Sequence, residues 1–178
     1  AENTGVACFA SKTMIRTPMG EVMIDDLRAG DLVETLDNGP QPIRWIGSSV
    51  VPAKGDLAPI RIAKGAFENN EDLLVSPHHR ILLTGWQSEL LFGSSETLVA
   101  AKHLINDQTI RPQPVDQVEY FHILFDQHEV VWSHGALSES FYPGSEGLPG
   151  MSQATRDEIL AIFPELQDGP DAYGMTAR

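Results

Sequence analysis

From residue 8 to about residue 51 the chain alternates short runs of β-type residues with turn signals. Thr13-Met14-Ile15-Arg16-Thr17 reads as a strand, Pro18-Met19-Gly20 as a turn, and Glu21-Val22-Met23-Ile24 as a second strand in which polar and apolar residues alternate. Asp25 to Gly30 turns again and Leu32-Val33-Glu34-Thr35-Leu36 is a third strand. Asn38-Gly39, both tolerant of positive φ, mark a hairpin that Ile43-Arg44-Trp45-Ile46 completes. Further strands are expected at Ala58 to Ile62, Leu73 to Val75, Ile81 to Leu83, Val118 to Phe125 and Val130 to Trp132. Many short strands with almost no long segment of helical period predict an all-β fold.

A shift of 77 residues lays Val22 on Val99, Leu27 on Leu104, Val33 on Ile110 and Ile46 on Ile123, a hint of two related halves. The ending differs in character. Tyr142 to Gly150 reads as an irregular linker, after which Ser152 caps a helix from Gln153 to about Phe163 that stops before Pro164. Ile159, Leu160, Ile162 and Phe163 form its apolar side, and the tail after Leu166 is expected to be loosely ordered.

Composition narrows the class. The chain has 178 residues, 42% hydrophobic and 21% charged, enough for one domain with a sizeable core. Its 25 acidic against 12 basic residues give a net charge of −13, with no basic stripe to track a phosphate backbone, so nucleic acid is excluded as a partner. No apolar run approaches a membrane span, and AENTGVA lacks the basic and apolar regions of a signal peptide. A monomer is expected. The single cysteine, Cys8, excludes an internal disulfide framework; it is either a buried apolar filler or a reactive thiol.

Residues 8 to 37, CFASKTMIRTPMGEVMIDDLRAGDLVETLD, resemble the first block of Hedgehog/intein (Hint) domains. That block has a Cys at the cleavage point, a Thr-containing strand, a Gly turn, an acidic-Leu step and Gly-Asp before the next strand; here these are Cys8, Thr13, Gly20, Asp26-Leu27 and Gly30-Asp31. Leu73 to Leu83 is similar to the family's Thr-x-x-His block, with Ser76 in the Thr place and His79 as its His. Tyr120 to His128, followed by Gly135, resembles the penultimate strands. The wording is closest to the bacterial branch distinct from splicing inteins. The resemblance implies an all-β horseshoe of two pseudo-symmetric halves; with the short C-terminal helix read above, the chain divides into an upstream remnant at 1–7, the Hint domain at 8–141, and linker, helix and tail at 142–178. It also implies a self-processing piece of a larger, exported or cell-surface bacterial chain.

The chemistry implied is attack of Cys8 on the carbonyl of Ala7 just before it, turning the Ala7–Cys8 amide into a thioester that water, a thiol or an amine resolves. The upstream polypeptide is thus a partner in cis. The five-membered approach loses no docking entropy. A free thiol of pKa ~8.5 must still lose its proton, the amine must gain one, and the oxyanion needs donors. His79 is the candidate for the nitrogen proton. Ser76 would orient either the scissile amide or His79. His122 stands where the family often supplies a carboxylate assisting the thiol. His128, Asp72 and Asp126 are secondary candidates. His78, His79, His122 and His128 match no strong zinc spacing, so neither metal nor cofactor is expected.

Splicing inteins end in His-Asn, whose amide cyclises. Aligned from Gly135, the corresponding residues are Glu139 and Ser140, which cannot cyclise in that way. N-terminal cleavage or acyl transfer is therefore expected rather than full splicing. The rival is a Hint-like binding or spacer module that has lost the reaction.

Overall fold

The computed structural model describes residues 6–144 and 148–178. Part of the expected upstream remnant, residues 1–5, and of the expected linker, residues 145–147, lies outside them. In chain order the strands are β1 (Phe9–Ala10), β2 (Met14–Thr17), β3 (Gly20–Met23), β4 (Leu32–Thr35), β5 (Gly39–Pro42), β6 (Trp45–Pro52), β7 (Ile60–Ile62), β8 (Leu73–Val75) and β9 (Arg80–Thr84). Helix α1 (Trp86–Phe92) follows, then β10 (Glu96–Ala100), β11 (Ile110–Pro112), β12 (Gln117–Leu124), β13 (Val130–Ser133), β14 (Ala136–Glu139) and α2 (Gln153–Ile162).

The strands form two antiparallel sheets, ordered β11-β7-β8-β1-β12-β6 and β10-β9-β14-β13-β2-β3, with the β4–β5 hairpin joined to the second through β13. The all-β expectation holds. Gly39 at the expected turn sits at φ 62° and the Thr35 hydroxyl donates to its carbonyl at 2.7 Å, but the strand that returns along β4 is β5 and not the expected Ile43–Ile46, of which Trp45 and Ile46 pair with β12. β5 carries two prolines, which hid it in the sequence. It pairs only with β4, and an edge strand tolerates residues that cannot donate to a ladder.

The 77-residue offset has a structural counterpart. It carries β3, the 3₁₀ turn Ile24–Asp26 and β4 onto β10, the 3₁₀ turn Ala101–Leu104 and β11. Ile46 and Ile123 are direct partners across β6 and β12. The short helix α1, not anticipated, fills the β9–β10 connection where the first half has only the Pro18-Met19 turn.

Strand alternation divides the six-stranded sheet into two faces. Phe9, Val75, Phe121 and Ile123 point into the core between the sheets, where they meet Ile15, Val33, Ile81 and Val131. Cys8, Tyr120 and Leu124 point the other way, and there a second apolar cluster forms with Ile159, Phe163, Leu166 and Tyr173 from the C-terminal segment. Each such buried side chain contributes roughly 1.5–3 kcal/mol.

α2 begins at the expected cap, Ser152 Oγ accepting from the Thr155 amide at 3.3 Å, and ends one residue earlier than expected, at Ile162. The expectation of a loose tail fails. After α2 come 3₁₀ turns at Pro164–Asp168 and Pro170–Tyr173, the Tyr173 hydroxyl donates to the Phe125 carbonyl, and Arg178 forks onto Asp37 at 2.9 Å and reaches Glu96. Gly169-Pro170 between Leu166 and Tyr173 interrupts any continuous helical pattern, which is why the sequence reads as structureless there.

Candidate functional site

Sheet register alone brings three of the four main candidates together. Phe9 on β1 is opposite Val75 on β8 and Phe121 on β12. In antiparallel pairing the residue before Phe9 therefore lies beside the residue after each partner, so Cys8 is flanked by Ser76 on one side and His122 on the other. Paired residues share a face, and all three side chains lie on the face that the C-terminal segment covers.

The Ala7–Cys8 amide is held from both sides. The Cys8 amide N–H donates to Ser76 Oγ at 3.0 Å, and Ser76 donates onward to the Val6 carbonyl at 2.8 Å. The Ala7 carbonyl oxygen lies 3.1 Å from His122 Nδ1. A carbonyl only accepts, so this contact requires a hydrogen on Nδ1 and leaves Nε2 as the basic nitrogen. Cys8 Sγ sits 3.3 Å from Nδ1 and 3.7 Å from Nε2, and also 3.3 Å from the Val6 carbonyl.

His122 is oriented by aromatic neighbours that the sequence reading missed. Its register partner on β6 is Gly47, and the Trp45 indole lies over that glycine so closely that a Cβ there would fall 2.3 Å from the ring. Trp45 runs nearly parallel to the imidazole at a centroid distance of 6.3 Å, and Phe141 meets it edge-on at 5.7 Å. The Trp-x-Gly spacing of Trp45 and Gly47 is the signal that could have found this arrangement.

Burial dominates the electrostatics. It pushes the Cys8 thiol far up; the Ser76 hydroxyl opposes this and the Glu139 charge adds to it. It lowers His122 to about 4 against the opposing bond to Ala7, and lowers His79 to about 4 against the opposing charge of Glu139. At neutral pH the site therefore holds a thiol and two neutral imidazoles.

His79 is placed differently from expectation. Its backbone closes a turn onto the Ser76 carbonyl at 3.0 Å, and its ring packs edge-on against Phe9 at 4.4 Å, beside the side chain that faces the core. Neither ring nitrogen has a hydrogen-bond partner among the described residues, and the Cys8 N–H is bonded to Ser76.

The secondary candidates lie in other contacts. Asp72 pairs with Arg61 at 2.7 Å and accepts from the Lys64 amide, and Asp126 pairs with Arg44. His128 accepts from the Ala177 amide at Nδ1, which puts its hydrogen on Nε2, 3.2 Å from Glu139. Glu139 also takes the Arg80 amide at 2.7 Å and the Arg80 guanidinium at 2.8 Å. Burial pushes the Glu139 carboxyl up, but the bonds to His128 and Arg80 outweigh it and hold it below its ordinary value. Ser140 Oγ accepts from the Glu129 amide. Among the described residues no group of three His, Cys, Asp or Glu could hold a metal ion, so the four histidines weighed for zinc do not converge.

Comparison with known proteins agrees with the fold. The solution structure of a bacterial intein-like domain from Clostridium thermocellum is similar at 14% identity with a TM-score of 0.55, over 75% of this chain and 97% of that one. A DnaB intein from Synechocystis sp. PCC 6803 is similar at 9% identity and a TM-score of 0.48, over 75% of this chain and 98% of that one. No curated protein matches the sequence. A family model described as the Hint domain matches residues 7–145, so the chain belongs to the Hint-domain family.

Proposed function

We propose that the chain is a self-processing domain in which Cys8 cleaves the Ala7–Cys8 bond through an N-to-S acyl shift. The observation that carries this reading is the scissile amide itself: its nitrogen is bonded to Ser76, its carbonyl oxygen to His122, and the thiol lies beside both. Sγ attacks the Ala7 carbonyl carbon while its proton passes to His122 Nε2. The imidazolium so formed keeps its Nδ1 hydrogen on the developing oxyanion, so one ring serves as base and oxyanion donor. The tetrahedral centre then expels the Cys8 nitrogen, which takes the proton that left the sulfur. Ser76 holds that nitrogen clear of the carbonyl. The product is a thioester between Ala7 and Cys8, resolved by water, a thiol or an amine.

A thiol raised so far by burial and a base lowered to about 4 make the shift slow, and a strong acceptor draws the thioester forward once it has formed. Glu139 and Ser140 offer no cyclising amide, so the reading stops at N-terminal cleavage or acyl transfer. The upstream polypeptide acts in cis, and the larger chain would be an exported or cell-surface one.

The test is to incubate the full chain with a strong thiol or with hydroxylamine and to follow its intact mass. Release of the segment ending at Ala7, carrying the modified carboxyl end, is expected. No release over days from folded protein would favour the second reading, a Hint-like binding or spacer module whose deeply buried thiol no longer reacts. Cys8→Ala beside the unaltered chain separates the two, because only an active domain would differ in upstream processing.

A further inference from the structure

We infer that the cavity over Cys8 is the acceptor site, and that it takes a short alkyl diamine as the nucleophile; the inference rests on the thioester reading above. A cavity of about 290 Å³ opens directly onto Cys8, Ser76 and His122, so a molecule lodged there lies against the Cys8 sulfur, which carries the acyl group after the shift. The size sits at the small end of ligand sites. Its roof is formed by Met151, Thr155 and Glu158, at and just before α2, and these lie beyond residues 7–145 that match the Hint family. The enclosure is therefore supplied by the C-terminal segment, laid over a catalytic face that the Hint portion alone leaves without this roof.

The walls select the occupant. Trp45, Val51, Leu57 and Tyr120 give an apolar lining, whereas the charged groups are the carboxylates of Asp56 and Glu158, both exposed at the rim. Glu158 is fixed in place by accepting the Trp45 indole N–H at 3.1 Å. Among the described residues no Lys or Arg lines the cavity, and the chain carries a net charge of −13. This combination attracts a cation with an apolar body and repels anionic thiols and amino acids.

An amine that attacks must be uncharged, so a monoamine gives up the attraction at the moment of reaction. A diamine keeps one ammonium on the rim carboxylates while its second, free nitrogen reaches inward. That nitrogen adds to the thioester carbonyl of Ala7, the C–S bond breaks, and the sulfur leaves with the proton released by the attacking nitrogen. The products are an amide on Ala7 and the free Cys8 thiol.

The experiment uses the full chain at about pH 8.5, where part of an alkyl amine is free base. It compares 1,5-diaminopentane, pentylamine and 6-aminohexanoate at equal free-amine concentration, with hydroxylamine as reference, and reads the mass of the released segment. The diamine is expected to react about ten-fold faster than pentylamine, the factor of one charge-assisted contact, and 6-aminohexanoate slower than either. In the double variant Asp56→Asn, Glu158→Gln the diamine advantage should disappear; a variant that hydroxylamine no longer cleaves is replaced by Asp56→Asn alone, at an exposed position. An advantage of two-fold or less in the unaltered chain, or one that survives the substitutions, would overturn the assignment. Release by hydroxylamine without diamine preference overturns the acceptor site only; no release by any nucleophile overturns the self-processing reading beneath it.

Discussion

The two ends of this domain are built from the same kinds of residue and arrive at opposite states. At the Ala7–Cys8 junction a histidine, a serine and a thiol converge on one peptide bond and leave that bond partly polarised. At Glu139–Ser140 a histidine, a serine and a carboxylate also meet, but every group is saturated: Glu139 by Arg80 and His128, His128 by Ala177, Ser140 by Glu129. The lesson is that chemistry at a Hint junction depends on what the polar groups are bonded to. A carboxylate locked in a buried ion pair is a staple, whereas the amide whose N–H is accepted by Ser76 and whose carbonyl accepts from His122 is the bond proposed to be cleaved.

The sharpest break of this comparison is Cys8→Ala, which should abolish thiol-induced release of the upstream segment, read by intact mass. Next, His122→Ala should slow release about 10²–10⁴-fold, the range for a positioned general base. Equal rates with and without the imidazole would remove it from the mechanism.

Acid should act on the first junction through the histidines. His79 and His122 are lowered to about 4 in the fold from 6.5 when unfolded. The unfolded chain thus binds more protons between those values, so stability falls as pH drops from about 6.5 towards 4 and levels off below. The loss is on the order of 3 kcal/mol per histidine, measured as a falling urea midpoint. A midpoint flat across that window would show that neither ring is held neutral by the fold.

At the second junction Glu139→Gln should cost about 2 kcal/mol in urea unfolding, less than a fully buried pair because Arg80 keeps some contact with water. It should yield no cleavage at that end. The smallest effect is expected for Ser76→Ala, about ten-fold in release rate, since it strands the Cys8 N–H without its acceptor. If Ser76→Ala proved more damaging than His122→Ala, the nitrogen side and not the carbonyl side would control the reaction.

Much of this was legible in the residues. The resemblance to Hint domains named Cys8, Ser76 and His122, which stand together, and the Ser152 cap and Pro164 stop frame α2 within one residue. The 77-residue offset anticipated two matching strand–turn–strand units. Those are properties of local pattern: alternation, caps and turn residues act over a few positions, so one stretch of sequence suffices to read them.

Other features exist only after strands distant in the chain have paired. The register that sets Cys8 between positions 76 and 122 depends on which edges β1 meets. A slip of one residue would turn each of those side chains to the opposite face. His79 was named by the resemblance to the family's Thr-x-x-His block, yet the turn it shares with Ser76 delivers its ring against Phe9. Glu139 was read for the amide it lacks, and its bonds to Arg80 and His128 come from β9 and from the loop before β13, which no local pattern links. The apolar side of α2 was visible, but its destination was not. Hydrophobic burial is non-directional, so the sequence determined that Ile159 and Phe163 must be covered, and only the tertiary structure decided that they would cover the face carrying Cys8.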